Sequence, residues 1–248
     1  MRDGLAYTFL GPAVAVVDQR SGTIVTEIHV LDLMAWARRD GLSLFDARRR
    51  KQFVATSLSR ETLAAAFDSD PFHFNKVDFL SAELAPLYPQ FEEGDLLISA
   101  RELNLVLVAR PSEQRIVWWR YGLSSAQHDP SFVDGQIELF DNNPTSDPPR
   151  PRIMRLDLTE QRARTLLDLS RWGMEMRQFG NFERRGERVL TVDSYAGRVI
   201  SGRLDGGIEF VLENRWRRPD GTLVGLQVLN ATEVEPDAFA RFEAACSR

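Results

Sequence analysis

Two of the three histidines of the chain, His73 and His128, stand at the start of short runs rich in Val, Ile, Leu and Phe. An imidazole, with its ordinary pKa near neutrality, can act as nucleophile, base or acid in one pH range. Two of them drawn together from distant parts of a chain therefore make a candidate group-transfer site. An arginine beside them would complete it, because its fixed fork of N–H donors suits the oxygens of an anionic group. His73 is followed two residues later by Asn75, which on the same strand face can bond a substrate or a neighbour. His128 follows Gln127 and precedes Asp129, a carboxylate able to orient its ring. The structural alternative is a satisfied core or turn histidine, the commoner fate of a lone imidazole in an apolar strand. Other chemistries find no spacing to support them. There is no His-Glu-x-x-His, Cys pair or EF-hand loop. Gly94 and the Asp205-Gly206-Gly207 stretch read as turn glycines, not phosphate loops. Ser124-Ser125-Ala126-Gln127-His128 is not a nucleophile elbow. No metal and no cofactor is expected.

The elements that must position these groups are strands. From His73 to Arg155, apolar runs are cut by turn residues at the spacing of consecutive antiparallel strands. Three stretches superimpose as a turn glycine followed by a strand: Gly94 before Leu96-Leu97-Ile98-Ser99, Gly135 before Ile137-Glu138-Leu139-Phe140, and Gly186 before Val189-Leu190-Thr191. Each is followed by a second strand (105–108, 153–156, 198–201) and a third (116–119, 164–167, 208–212). A period of about 40 to 50 residues is the size of one four-stranded propeller blade, and a sandwich needs no such repetition. Earlier, Ala13–Val17 and Thr23–Ile28 flank the turn cluster Asp18–Gly22 and predict a hairpin. Residues 31–69 change character: Leu31, Met34 and Ala35, then Phe53, Val54, Leu58, Leu63 and Phe67 recur at helical spacing, with Arg48-Arg49-Arg50-Lys51 as a solvated face. Helical stretches are also expected around 160–169 and, with Phe239, Phe242 and Ala245 on one face, at 236–246. The expected fold is all-β, a β-propeller of four-stranded blades, fewer than six or incomplete, as one domain over 1–248 with a helical insertion at 31–69 and a C-terminal helix.

Composition narrows the partners. With 36 acidic against 31 basic residues and a net charge of −5, both signs scattered, no nucleic-acid footprint or basic membrane surface stands out. A single cysteine, Cys246, excludes an internal disulfide and a cysteine-rich metal site. Met1–Tyr7 lacks the apolar core of a signal peptide, and no apolar run reaches membrane-spanning length. Neither the oligomeric state nor the compartment is fixed by these features.

Taken in order, several segments resemble the bacterial aryl-sulfate sulfotransferase family. They are His-x-Asn-x-Val-x-x-Leu from His73, Gly-Asp-Leu-Leu-Ile-Ser-x-Arg-x-Leu-Asn-x-Val from Gly94, and Ile-Val-Trp from Ile116. Gln-His-Asp from Gln127, Leu-Phe-Asp-Asn from Leu139 and Pro-Arg-x-x-Arg-Leu-Asp from Pro151 follow. The likeness covers residues 70–230 and implies a six-bladed propeller that passes a sulfuryl group between phenols without a nucleotide donor. It also implies a periplasmic or exported protein. Six blades of about 45 residues exceed this chain. Family members set several histidines and an arginine around a central channel, one histidine becoming sulfated, whereas Met176–Asn181 here has no histidine. By the resemblance, His73 and His128 are the nucleophilic or acid–base groups and Arg152 binds the sulfuryl oxygens, with Arg150 its competitor. Asn75, Asn142, Arg150 and Gln178 are the substrate-binding candidates. Arg152 could equally fix a blade by pairing with Asp141 or Asp157, and Trp118 and Trp119 read as blade-packing residues. The expected ligand is an aryl sulfate or phenol. The alternative reading is a non-catalytic propeller that binds an anion or a protein; a quinone-cofactor propeller lacks a ligand set.

Overall fold

A computed structural model describes residues 5–10, 13–42 and 72–234 of the chain. It divides into two compact units, 1–178 and 179–248.

The first unit holds three antiparallel sheets. A three-stranded sheet runs β1 (Leu5–Leu10), β2 (Ala13–Asp18) and β3 (Ile24–His29). Its second turn is the predicted one: Asp18 Oδ1 accepts from the backbone N–H groups of Arg20 and Ser21 at 2.9 and 2.8 Å. Helix α1 (Val30–Arg39) starts directly from β3, with His29 as its cap: His29 Nδ1 accepts from Leu31 N, and Asp32 returns a bond to His29 N. The buried stripe of α1 is Leu33, Trp36 and Ala37, while Leu31 is exposed, so the packed face is turned from the Leu31–Met34–Ala35 stripe expected from spacing. The remainder of the 31–69 insertion, including the basic run, lies mostly outside the described residues, as does the expected helix at 236–246.

Two four-stranded blades follow. The first is β4 (Phe74–Phe79), β5 (Leu96–Ala100), β6 (Leu105–Arg110) and β7 (Arg115–Tyr121), paired in that order. The second is β8 (His128–Val133), β9 (Gln136–Asp141), β10 (Arg152–Leu156) and β11 (Ala163–Asp168). Residues 163–168 are thus a strand, closed by a 3-10 turn at Leu169–Trp172, where a helix was expected around 160–169; pairing with β10 wins over local helical spacing. The repeat has a stereochemical cause. Gly94, Gly135 and Gly186 each precede the second strand of a blade, and each has a positive φ, of 92°, 75° and 59°.

Blades pack face on face, which is why β5 and β6 are buried along their whole length and read as continuous apolar runs. Leu96, Ile98, Leu105 and Leu107 point into one core with Val14, Ile28, Leu33 and Trp36. Leu97, Val106 and Val108 point the other way, into a core with Trp118, Phe132, Ile137 and Met154. Trp118 is a packing residue, its indole N–H donating to Leu158 O at 2.9 Å. The first strands, β4 and β8, contact each other side by side.

The second unit is a blade of the same order, β12 (Phe182–Arg185), β13 (Arg188–Asp193), β14 (Arg198–Arg203) and β15 (Ile208–Glu213), with a hairpin of β16 (Arg215–Arg217) and β17 (Leu223–Gly225). The molecule is all-β and propeller-like. Among the described residues no helix is long and apolar enough to cross a membrane.

Candidate functional site

His73 immediately precedes β4 and His128 opens β8, so the two histidines begin neighbouring first strands. Both strands are bulged just beyond their histidine. In β4 the pairing jumps from Phe74↔Ala100 to Lys76↔Ser99, leaving Asn75 extra. In β8 it jumps from His128↔Phe140 to Ser131↔Glu138. A bulge re-aims the side chains around it. The bulged residues then bond across: Asn75 Nδ2 donates to Gln127 O at 2.9 Å, and Lys76 Nζ pairs with Asp129 at 2.7 Å. Farther along, Asp78 Oδ2 accepts from Phe132 N at 2.9 Å.

The backbone at this end is held in unusual conformations. His73, Asn104, Ala126 and Asp129 have φ of 45°, 51°, 51° and 48°, the left-handed region that side chains resist. Each is tied down. His73 O accepts from Arg101 N at 3.0 Å, and Asn104 Oδ1 accepts from Ala126 N at 3.0 Å. Gln127 is fully buried, with its amide nitrogen directed at Ser99 Oγ, Ala100 O and Leu105 O at 3.2, 3.3 and 3.0 Å. That plug fixes the residue before His128 to the β5–β6 turn.

His128 is half-buried, and its Nδ1 lies 2.7 Å from Asn142 Oδ1 and 3.0 Å from Ala126 O. The Asn142 amide nitrogen is turned the other way, toward Met176 O at 3.4 Å. Both neighbours of Nδ1 are acceptors, so the ring proton sits on Nδ1 and the lone pair on Nε2. Burial pushes the His128 pKa down to about 4. Hydrogen bonds to Asn142 and Ala126 oppose that fall, and the positive charges of Arg101 and His73 add to it. A positive charge on Arg101 thus disfavours the protonated form of the His128 ring. A neutral imidazole with one nitrogen held and the other without a hydrogen-bond partner among the described residues is suited to nucleophilic attack.

Lys76 and Asp78 carry charge next to this pair. Burial works against the Lys76 ammonium, but Asp129 outweighs it and holds the pKa above its usual value. Burial raises the Asp78 pKa against its backbone hydrogen bonds and Lys76.

Among the other candidates, Asn142 orients the ring that Asp129 was expected to orient; Asp129 is taken by Lys76. Asn75 bonds its neighbour strand, and its Oδ1 is buried with no donor among the described residues. Arg152 stands opposite Asp141 in the β9–β10 ladder, its Nε bonded to Asp141 Oδ2 at 2.9 Å. Asp141 Oδ1 accepts from Ser125 N and Asn143 N, so this ion pair secures the loop next to Asn142. The Arg150 and Gln178 side chains are exposed. Sequence reasoning missed Arg101, which forms the 3-10 turn after β5 with its guanidinium on Glu102 at 2.7 Å. Its signal was the arginine inside the Gly94 segment. Two clefts among the described residues, of about 330 Å³ floored by Leu190, Val199 and Phe210 and of about 500 Å³ walled by Arg155, Arg162 and Arg164, are lined by neither histidine.

With this geometry in hand, the comparison with known families is specific. The family model described as Arylsulfotransferase (ASST) matches residues 6–215, spanning both histidine-bearing blades and all four strands of the third. No curated protein matches the chain.

Proposed function

This chain belongs to the arylsulfotransferase family, and from that premise we propose that it transfers a sulfuryl group from an aryl sulfate to a phenol through His128. The observation that carries the proposal is the state of that ring: Nδ1–H engaged by Asn142 and Ala126, Nε2 without a partner among the described residues, and the imidazole neutral down to about pH 4. In the first step the Nε2 lone pair attacks sulfur, the N–S bond forms and the S–O bond to the aryl group breaks, releasing a phenolate. His73 supplies the proton that phenolate takes up. In the second step the acceptor phenol gives its proton back to His73 as its oxygen attacks sulfur, and the N–S bond returns its electrons to Nε2. Charge on the moving group's oxygens is met by guanidinium. Arg101, whose charge acts on His128, and Arg152 are the candidates for that role; each is already paired with a carboxylate, Glu102 and Asp141.

The test is transfer from p-nitrophenyl sulfate to phenol by the purified chain, with mass spectrometry of the quenched enzyme. Transfer that disappears in His128→Ala, with a sulfated peptide containing His128 in the wild type, is the expected result. The absence of a histidine in Met176–Asn181 favours a second reading, a propeller that binds anions without turnover. Aryl sulfate that raises the melting temperature while no sulfuryl group moves would put that reading in place of the first.

A further inference from the structure

On one face of the second blade a single row of side chains crosses all four strands. Ser131 of β8 stands opposite Glu138 of β9, Glu138 opposite Arg155 of β10, and Arg155 opposite Arg164 of β11. The fully buried Glu138 carboxylate takes Arg155, whose Nε and Nη2 donate to Oε1 at 3.0 and 2.5 Å. Arg164 therefore faces an arginine that already has its counter-ion. Like charges directly opposite each other on neighbouring strands work against the pairing. The Arg164 guanidinium is exposed and makes no hydrogen bond or ion pair among the described residues, so nothing in the row offsets that repulsion. The row is one carboxylate short.

A cleft of about 500 Å³ lies at this end of the row, walled by Arg155, Arg162 and Arg164, with Gln136 and Asp157 as its other polar residues. Gln136 lies two residues before Glu138 on β9 and so on the same face. Its carboxamide is unpaired among the described residues, as is Arg155 Nη1. Asp157 does not supply the missing carboxylate. Its Oδ1 accepts from Thr159 N, Thr159 Oγ1 and Glu160 N at 2.8, 2.8 and 2.7 Å, and its Oδ2 faces Arg162 at 3.5 Å. Arg162 also has Glu160, at 2.9 Å. A guanidinium, a carboxamide and a spare N–H of a second guanidinium are thus left over, all lining one cavity.

We propose that this cleft binds the carboxylate of a small organic acid, with Arg164 as its counter-ion and the Gln136 amide and Arg155 Nη1 as further donors. One uncompensated positive charge is matched by a monoanion, and the two oxygens of a carboxylate fit the planar fork of a guanidinium. A dianion such as sulfate would leave a second negative charge unmatched beside Asp157. The volume leaves room for a short carbon chain behind the carboxyl group. Neither histidine lines the cleft, so the inference stands or falls apart from sulfuryl transfer.

The experiment titrates acetate into the full chain in exchange for chloride, at constant ionic strength and pH. Binding is read from the ¹H–¹⁵N resonances of the Arg164 Nε–H and the Gln136 carboxamide, assigned by their loss in Arg164→Met and Gln136→Leu. The expected result is that acetate shifts both saturably, that sulfate binds more weakly, and that Arg164→Met weakens acetate binding about tenfold as read at Gln136. Arg164→Lys, which keeps the charge and loses the fork, should retain part of the affinity. Resonances that acetate leaves unmoved, sulfate bound as tightly as acetate, or undiminished binding in Arg164→Met would each overturn the proposal.

Discussion

Replacing His128 with glutamine should remove a defined piece of the pH dependence of folding. In the folded chain burial holds the imidazole pKa at about 4, against 6.5 for an ordinary histidine. Between those values the unfolded chain binds a proton at this position and the folded chain does not, so stability falls as pH drops through the window. At pH 5 the acidity lies one and a half pH units below the ordinary value. At 1.36 kcal/mol per unit the native state has then lost about 2 kcal/mol relative to pH 7.5 through this residue. Above pH 7 the contribution is fully relieved, since neither state is protonated there. Glutamine has a similar reach, can still donate to Asn142 and Ala126, and does not titrate. Urea unfolding of both proteins at pH 7.5 and pH 5 isolates the effect, because Asp78 and every other titrating group are common to the two. The wild type should lose about 2 kcal/mol more than His128→Gln between these conditions. The same proton appears directly in the His128 ring resonances, whose titration midpoint should lie near 4. Equal pH dependence in the two proteins, or a midpoint near 6.5, would show that the ring is not desolvated and would remove the basis for a neutral nucleophile.

The remaining predictions concern the groups around that ring. Asn142→Ala deletes the 2.7 Å bond to Nδ1. It should lower the transfer rate about 100-fold through misorientation of the ring, and lower the His128 midpoint further because a hydrogen bond that favoured the proton is gone. Arg101→Gln should weaken binding of p-nitrophenyl sulfate and raise the His128 midpoint, since the guanidinium opposes protonation; an unchanged midpoint by NMR would separate Arg101 from the site. Lys76→Met leaves the Asp129 carboxylate without its 2.7 Å partner and should destabilise the fold by about 2 kcal/mol in urea, discounted for the partial exposure of Lys76. Lys76→Arg should restore most of the loss, and failure of that rescue would mean that the ion pair does not hold the bulge.

The fold was legible because its repeat is written in two independent ways. Turn glycines at 94, 135 and 186 mark a backbone conformation that other residues resist, and the apolar runs of β5 and β6 mark strands covered on both faces. Residues 163–168 misled because a strand of exposed and half-exposed positions such as Arg164 and Thr165 has no strong alternation to read, and only its pairing with β10 defines it. For the site, the two histidines were visible as residues that open strands. Their surroundings were less so. Asn142 and Arg101 each sit in the turn after a second strand, more than ten residues from the histidine they influence. Nothing in local sequence says which of several polar turn residues will lie beside a ring on another strand. Arg152 shows the converse: its place in the ladder opposite Asp141 follows from register, and register is fixed by the whole sheet.

What the first strands contribute follows from those same registers. A regular strand turns successive side chains to opposite faces, so a histidine opening β8 would be aimed by the ladder alone. The bulges at Asn75 and at Asp129-Pro130 free that aim, and the cross-strand bonds from Asn75 to Gln127 O and from Lys76 to Asp129 fix it again. The irregularity in one strand is therefore held by the irregularity in the other. That reciprocity gives a physical reason for the left-handed φ values at Ala126 and Asp129, whose strain is borne by bonds to the neighbouring blade, while His73 is tied within its own blade by Arg101 N. It also means that the direction of His128 is set by residues of two blades, so substitutions in β4 should reach the chemistry on β8 without touching the ring.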